Sequence, residues 1–135
     1  MKKSNQTNIH GKPLESCSYD PLTGFFRNGC CDTDKNDVGS HTVCVILTEE
    51  FLKFSKDAGN DLSTPRPEYN FLGLLPGQKW CLCANRWLEA HEAGLAPPVL
   101  TESTNLKTLD IIDFDTIVKL SLIHISEPTR RRGNS

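Results

Sequence analysis

Residues 41–58 read HTVCVILTEEFLKFSKDA, and this stretch decides the fold class. Its first seven residues, HTVCVIL, are rich in β-branched side chains and largely apolar on both faces, which predicts a strand. Thr48 then stands where a helix N-cap belongs, followed by Glu49 and Glu50, whose charges suit the positive end of a helix. Phe51, Phe54 and Ala58, with Leu52 beside them, fall on one stripe, so the spacing predicts a short amphipathic helix over 49–58. Gly59 sits where a left-handed residue closes such a helix.

Working outward, residues 79–84 (KWCLCA) predict a second strand. Alternation puts Trp80 and Leu82 on one face and Cys81 and Cys83 on the other. Residues 85–93 continue as a helix whose apolar face carries Ala84, Trp87, Leu88 and His91, closed by Gly94. Between the two strand–helix units runs GNDLSTPRPEYNFLGLLPG, residues 59–77, a connection long enough to predict an ordered or functional loop. Beyond Pro97 and Pro98, residues 99–102 and 106–112 predict a final hairpin, and Asp113 predicts the N-cap of a helix from Phe114. The expected fold is α+β: a small two-layer single domain, with a short mixed or antiparallel sheet, two to three helices on one side and long ordered loops.

The chain has 135 residues, 37% hydrophobic and 24% charged, ordinary values for one globular domain. Fifteen basic against seventeen acidic residues give a formal charge of −2, which offers no footing for nucleic acid or an anionic membrane. No apolar run approaches the roughly 18 residues that span a bilayer. A polar stretch follows Lys2 and Lys3 where a signal peptide needs an apolar one. The expectation is therefore a cytoplasmic protein whose six cysteines are reduced thiols. Residues 1–12 lack periodicity and are expected to be disordered, leaving 13–120 as the domain. Residues 120–130 read LSLIHISEPTR, which resembles the translation of a transposase adapter used in preparing sequencing libraries. Residues 121–135 are accordingly expected to be a non-native read-through tail.

The chemistry concentrates in residues 20–44, DPLTGFFRNGCCDTDKNDVGSHTVC. Pro21 and Gly24 are turn formers, and Phe25 and Phe26 are expected to pin the loop to the core. Three readings follow. The first is a site that binds a small ligand or a metal. Asp20, Thr23, Arg27, Asp61 and Arg86 are its ligand-binding candidates, because paired arginines clamp carboxylates and phosphates. Cys30, Cys31, Cys81 and Cys83 are its metal candidates, zinc being the ion that thiolates suit. Without a bulge, His41 and Cys44 would point to opposite faces and could not share that metal. The second is a thiol-dependent enzyme with Cys31 as nucleophile and His41 as base. The third is a protein-interaction module using the loop 60–71, with Tyr69 and Phe71 as anchors.

The ordered blocks DPLTGFFRNGCC, DVGSHTVC, GNDLSTPRPE, PGQKWCLCANRW and EAGLAPPV make the chain resemble a family of small bacterial proteins, also met in some algae and other eukaryotes, described only as a domain of unknown function. The resemblance covers roughly Gly11 to Lys119 and implies an α+β, two-layer domain. It implies no activity. The family favours alanine where this chain has Val45, a substitution that a strand accepts, and its last helix runs beyond Leu120 unlike SLIHISEPTR.

Overall fold

A computed structural model describes residues 5–69 and 71–121. Strand β1 (His41–Ile46) leads into helix α1 (Glu49–Asp57), and strand β2 (Lys79–Cys83) leads directly into helix α2 (Ala84–Glu92). A short helix α3 (Phe114–Lys119) closes the domain. Thr48 caps α1 as its position demands, its Oγ1 accepting from the Phe51 amide at 3.1 Å. No helix among the described residues is long and apolar enough to cross a membrane.

The strands form a two-stranded antiparallel sheet. Val43 and Val45 pair with Leu82 and Trp80, and this face enters the main core with Phe51, Leu74, Trp87, Val99 and Ile117. Trp87 is fully buried, its Nε1 donates to the Pro97 carbonyl at 3.1 Å, and its ring stacks on His91. Burying each such large side chain contributes about 1.5–3 kcal/mol. The opposite face carries Cys44 and Cys81, which with Cys17 and Cys31 make a second, smaller cluster flanked by Leu100.

Both edges of the sheet are engaged. Beyond β1, the Ile46 amide donates to the Pro98 carbonyl, the Leu100 amide donates to the Cys44 carbonyl, and Val45 bridges Val99. On the outer edge of β2, the Cys81 amide donates 2.9 Å to the hydroxyl of Thr23, which is fully buried.

Two expectations are corrected here. Residues 99–102 and 106–112 do not form a hairpin. Their regular structure is instead 3-10 turns at Thr101–Ser103 and Leu106–Asp110. The cause is local competition by polar side chains. Asn105 caps the second turn through the Lys107 amide, while the Thr104 hydroxyl donates to the Leu100 carbonyl and accepts from the Cys44 amide. The N-terminal segment is not frayed from residue 7 onward: Thr7 bridges Pro13, Asn8 bridges Asn105, and Ile9 enters the main core. The expected read-through tail lies outside the described residues except for Ser121, which bridges Val99.

Candidate functional site

The loop 18–31 is drawn into a tight knot. The Ser18 hydroxyl donates to the Pro21 carbonyl at 2.7 Å, the Gly29 amide donates to Thr23, and the Cys17 amide donates to Gly29. Gly24 is required in this knot: it has φ 102°, and a Cβ there would run into the Cys30 carbonyl oxygen. Phe25 and Phe26 do not anchor the loop in the core as expected; they remain 40% and 47% exposed. Phe25 instead stacks on His41, and Phe26 meets Phe25 edge-on. Arg27 takes the left-handed backbone region (φ 54°) and holds its guanidinium 5.4 Å from the centre of the Trp80 ring.

His41 is oriented by Asp37, whose side chain is fully buried. The Asp37 carboxylate accepts from the Thr33 hydroxyl at 2.9 Å, the His41 amide at 2.8 Å and the His41 ring Nδ1 at 2.7 Å. With Nδ1–H donating, the neutral ring carries its lone pair on Nε2. The strand register shifts between His41 and Val43, so that His41 is the cross-strand partner of Cys83 while Cys44 partners Cys81. Cys81 and Cys83 share a face of β2, and the bulge therefore brings His41 to the same side as Cys44. Strict alternation puts them on opposite faces; the irregularity at Thr42 reverses that. Cys83 donates to the Gly39 carbonyl at 2.7 Å.

These groups open onto a cavity of about 1130 Å³. Asp20, Arg27, His41, Asp61 and Arg86, all sequence candidates, line it. Thr23 does not; its hydroxyl is spent on β2. Trp80 carried no site signal, and Arg66 and Phe71 figured only in the interaction-loop reading, yet all three form its walls. The loop 60–71 is one side of this cavity, with Asn60, Asp61, Leu62, Arg66, Tyr69 and Phe71 facing it. Asp61 shapes that loop: its Oδ1 accepts from the Ser63 and Thr64 amides at 3.1 Å each. Hydrogen bonding from the Thr64 side chain, then from the Thr64 and Ser63 amides, holds the Asp61 carboxyl below its ordinary 3.8 against an opposing effect of burial. Arg86 donates to the Ala58 carbonyl and to Glu89, both at 3.2 Å. Three arginines face two aspartates across the cavity, so its charge balance is positive.

The cysteines depart furthest from expectation. Cys17 is bonded to Cys44 and Cys31 to Cys81, so four of the six are not reduced thiols. Cys31, fully buried and bonded, presents no nucleophile. The expected metal quartet of Cys30, Cys31, Cys81 and Cys83 is not the group that assembles. Among the described residues, the sulfurs that gather within 4.8 Å of one another are those of Cys17, Cys31 and Cys81. As thiolates, these three could hold a metal ion. Cys30 is buried outside both disulfides, and Cys83 is half-buried on the cavity wall. Cys17 carried no signal in the sequence, since its partner lies 27 residues away on a strand. Asp37 carried only a faint one, an acidic residue four positions before His41.

Fold and site together define a small α+β domain whose N-terminal loops are cross-linked to a two-stranded sheet beside a large open cavity. Residues 7–121 match the family described as an uncharacterized protein conserved in bacteria (DUF2237), and the chain belongs to that family. No curated protein matches the chain.

Proposed function

We propose that the cavity binds a small molecule that joins an anionic group to a flat apolar part. The observation that carries this reading is Arg27. A bulky residue in the left-handed region costs on the order of 1 kcal/mol or more, and such strain concentrates at binding sites. Here it accompanies a guanidinium spread over Trp80 on the cavity wall. Arg66 and Arg86 add two further donors suited to a carboxylate or phosphate, and Phe25, Phe71 and Trp80 supply flat apolar surface. The test is a panel of aromatic carboxylates and phosphate esters, screened by amide chemical shifts. Binding should perturb residues 24–27, 60–69 and 80–83 together. Arg27→Ala should weaken it by about tenfold or more, the worth of one charge-assisted hydrogen bond. Binding that leaves those residues unperturbed, or that survives both Arg27→Ala and Arg86→Ala at full strength, refutes the reading.

A second reading, thiol chemistry in the same cavity, is favoured by the Asp37–His41 pair. Its nucleophile is Cys83, because the strand register makes it the cross-strand partner of His41 and Asp37 leaves the ring's lone pair on Nε2. Iodoacetamide should label Cys83 ahead of Cys30, and His41→Ala should slow that labelling; equal rates in the parent and His41→Ala chains count against it.

A further inference from the structure

The two disulfides are not independent staples. Each joins one N-terminal loop cysteine to one strand cysteine, Cys17 to Cys44 on β1 and Cys31 to Cys81 on β2. Because Cys44 and Cys81 are cross-strand partners, the bonds are brought side by side on one face of the sheet. Three of the sulfurs, those of Cys17, Cys31 and Cys81, lie within 4.8 Å of one another, and the fourth, on Cys44, is bonded to that of Cys17. All four residues are at most 5% exposed. Two bonds that merely tethered two loops would have no need to meet.

We infer that this four-sulfur cluster is a redox-gated metal site, closed by two disulfides when oxidised and able to take up one thiophilic divalent cation when reduced. The inference is independent of the small-molecule reading of the cavity. In the first step a dithiol reductant breaks both S–S bonds. Each disulfide receives two electrons and two protons and becomes two thiols, while two reductant dithiols are oxidised to disulfides. In the second step the cation replaces the four thiol protons, which pass to solvent, and four metal–sulfur bonds form. A disulfide oxidant reverses the sequence: the four thiolates re-form the two S–S bonds, four electrons pass to two oxidant disulfides, which take up four protons from solvent and leave as dithiols, and the ion is expelled.

Three of the four sulfurs are already close to the required spacing. Tetrahedral Zn–S bonds near 2.3 Å separate sulfurs by about 3.8 Å. The bonded sulfurs must therefore part to that separation; those of Cys17, Cys31 and Cys81 already lie within 4.8 Å of one another, and that of Cys44 must swing in toward Cys31 and Cys81 once its bond to Cys17 opens. The backbone positions are held independently by the β1–β2 pairing, by the Cys17 amide on the Gly29 carbonyl and by the Cys81 amide on Thr23.

The test uses the full chain reduced with a phosphine, freed of reductant without air, and exposed to Zn²⁺ or Co²⁺. The expected result is one ion per reduced chain by mass spectrometry of the metal, none per oxidised chain, and for Co²⁺ the absorption of tetrahedral thiolate coordination. Reoxidation should release the ion and restore the 17–44 and 31–81 linkages on peptide mapping. Cys30→Ser and Cys83→Ser should keep the stoichiometry and Cys44→Ser should lose it. The cobalt spectrum of the parent chain answers the question even where Cys44→Ser fails to fold. The inference is overturned by substoichiometric uptake in the reduced chain, by equal uptake in the oxidised chain, by loss of uptake in Cys30→Ser or Cys83→Ser, or by a reduced chain that unfolds and is not refolded by metal.

Discussion

Removing the Cys31–Cys81 bond with the paired substitution Cys31→Ser/Cys81→Ser opens a loop of 50 residues that ties the 28–33 segment to β2. In the chain-entropy description, closing a loop of that length lowers the entropy of the unfolded chain by an amount worth about 4.1 kcal/mol at 25 °C. For the cooperative unit of about 115 residues spanned by 7–121, the unfolding entropy near the midpoint is about 0.24 kcal/mol/K. The melting temperature should therefore fall by about 17 °C, with a matching loss of roughly 4 kcal/mol in a urea titration of the oxidised protein. Breaking Cys17–Cys44 instead, a loop of 27 residues, should cost about 3.6 kcal/mol by the same arithmetic. The two loops share residues 31–44, so removing both bonds should cost less than the sum of the two single removals. A paired Cys31→Ser/Cys81→Ser variant within about 1 kcal/mol of the parent would refute the argument, because it would mean that this closure restrains nothing in the unfolded chain.

Two further outcomes follow from hydrogen bonds at the site. Asp37→Asn leaves one side-chain oxygen where two now serve three donors, and turns an amide NH₂ toward His41 Nδ1. Stability should fall by about 1–3 kcal/mol and the neutral His41 ring should change tautomer, read from its ring nitrogen shifts; an unchanged tautomer contradicts the assigned geometry. Asp61 is a carboxyl depressed by hydrogen bonds in the folded state, so its support of the 60–66 loop is complete above its ordinary value of 3.8 and is lost as pH falls below it. The amide shifts of Ser63 and Thr64 should follow that titration, and a midpoint at or above 3.8 would contradict it.

The legible parts of the fold were those specified by neighbours in sequence. Strand β1, the Thr48 cap, α1, β2 and α2 each rest on a contiguous signal: β-branched runs, a capping hydroxyl, an apolar stripe. Residues 99–112 were misread because their polar side chains are buried. Thr101, Ser103, Thr104, Asn105 and Thr108 are at most 6% exposed and find partners in distant segments, such as Thr108 with Thr42 and Asn105 with the Cys31 carbonyl. A pattern of hydrophobic and polar residues cannot register that. The site divided in the same way. Arg27 and Arg86 stood out in the sequence as arginines in a loop and at a helix start, and both reach the cavity. The pairing of six cysteines is a long-range property, and the expectation of reduced thiols pointed away from disulfides altogether. The bulge at Thr42 is equally invisible, because HTVC reads as unbroken alternation, and it alone decides which face His41 serves.

Thr23 has a consequence beyond the site. A two-stranded sheet ordinarily leaves two rows of unpaired backbone groups, each a template on which another chain can add a strand. Here the segment 98–100 occupies the β1 side, and on the β2 side a single threonine hydroxyl takes the Cys81 amide that an incoming strand would need. One side chain, held in place by a cross-linked loop, thus acts against edge-to-edge self-association. Loosening that loop would expose an adhesive edge as well as soften the fold.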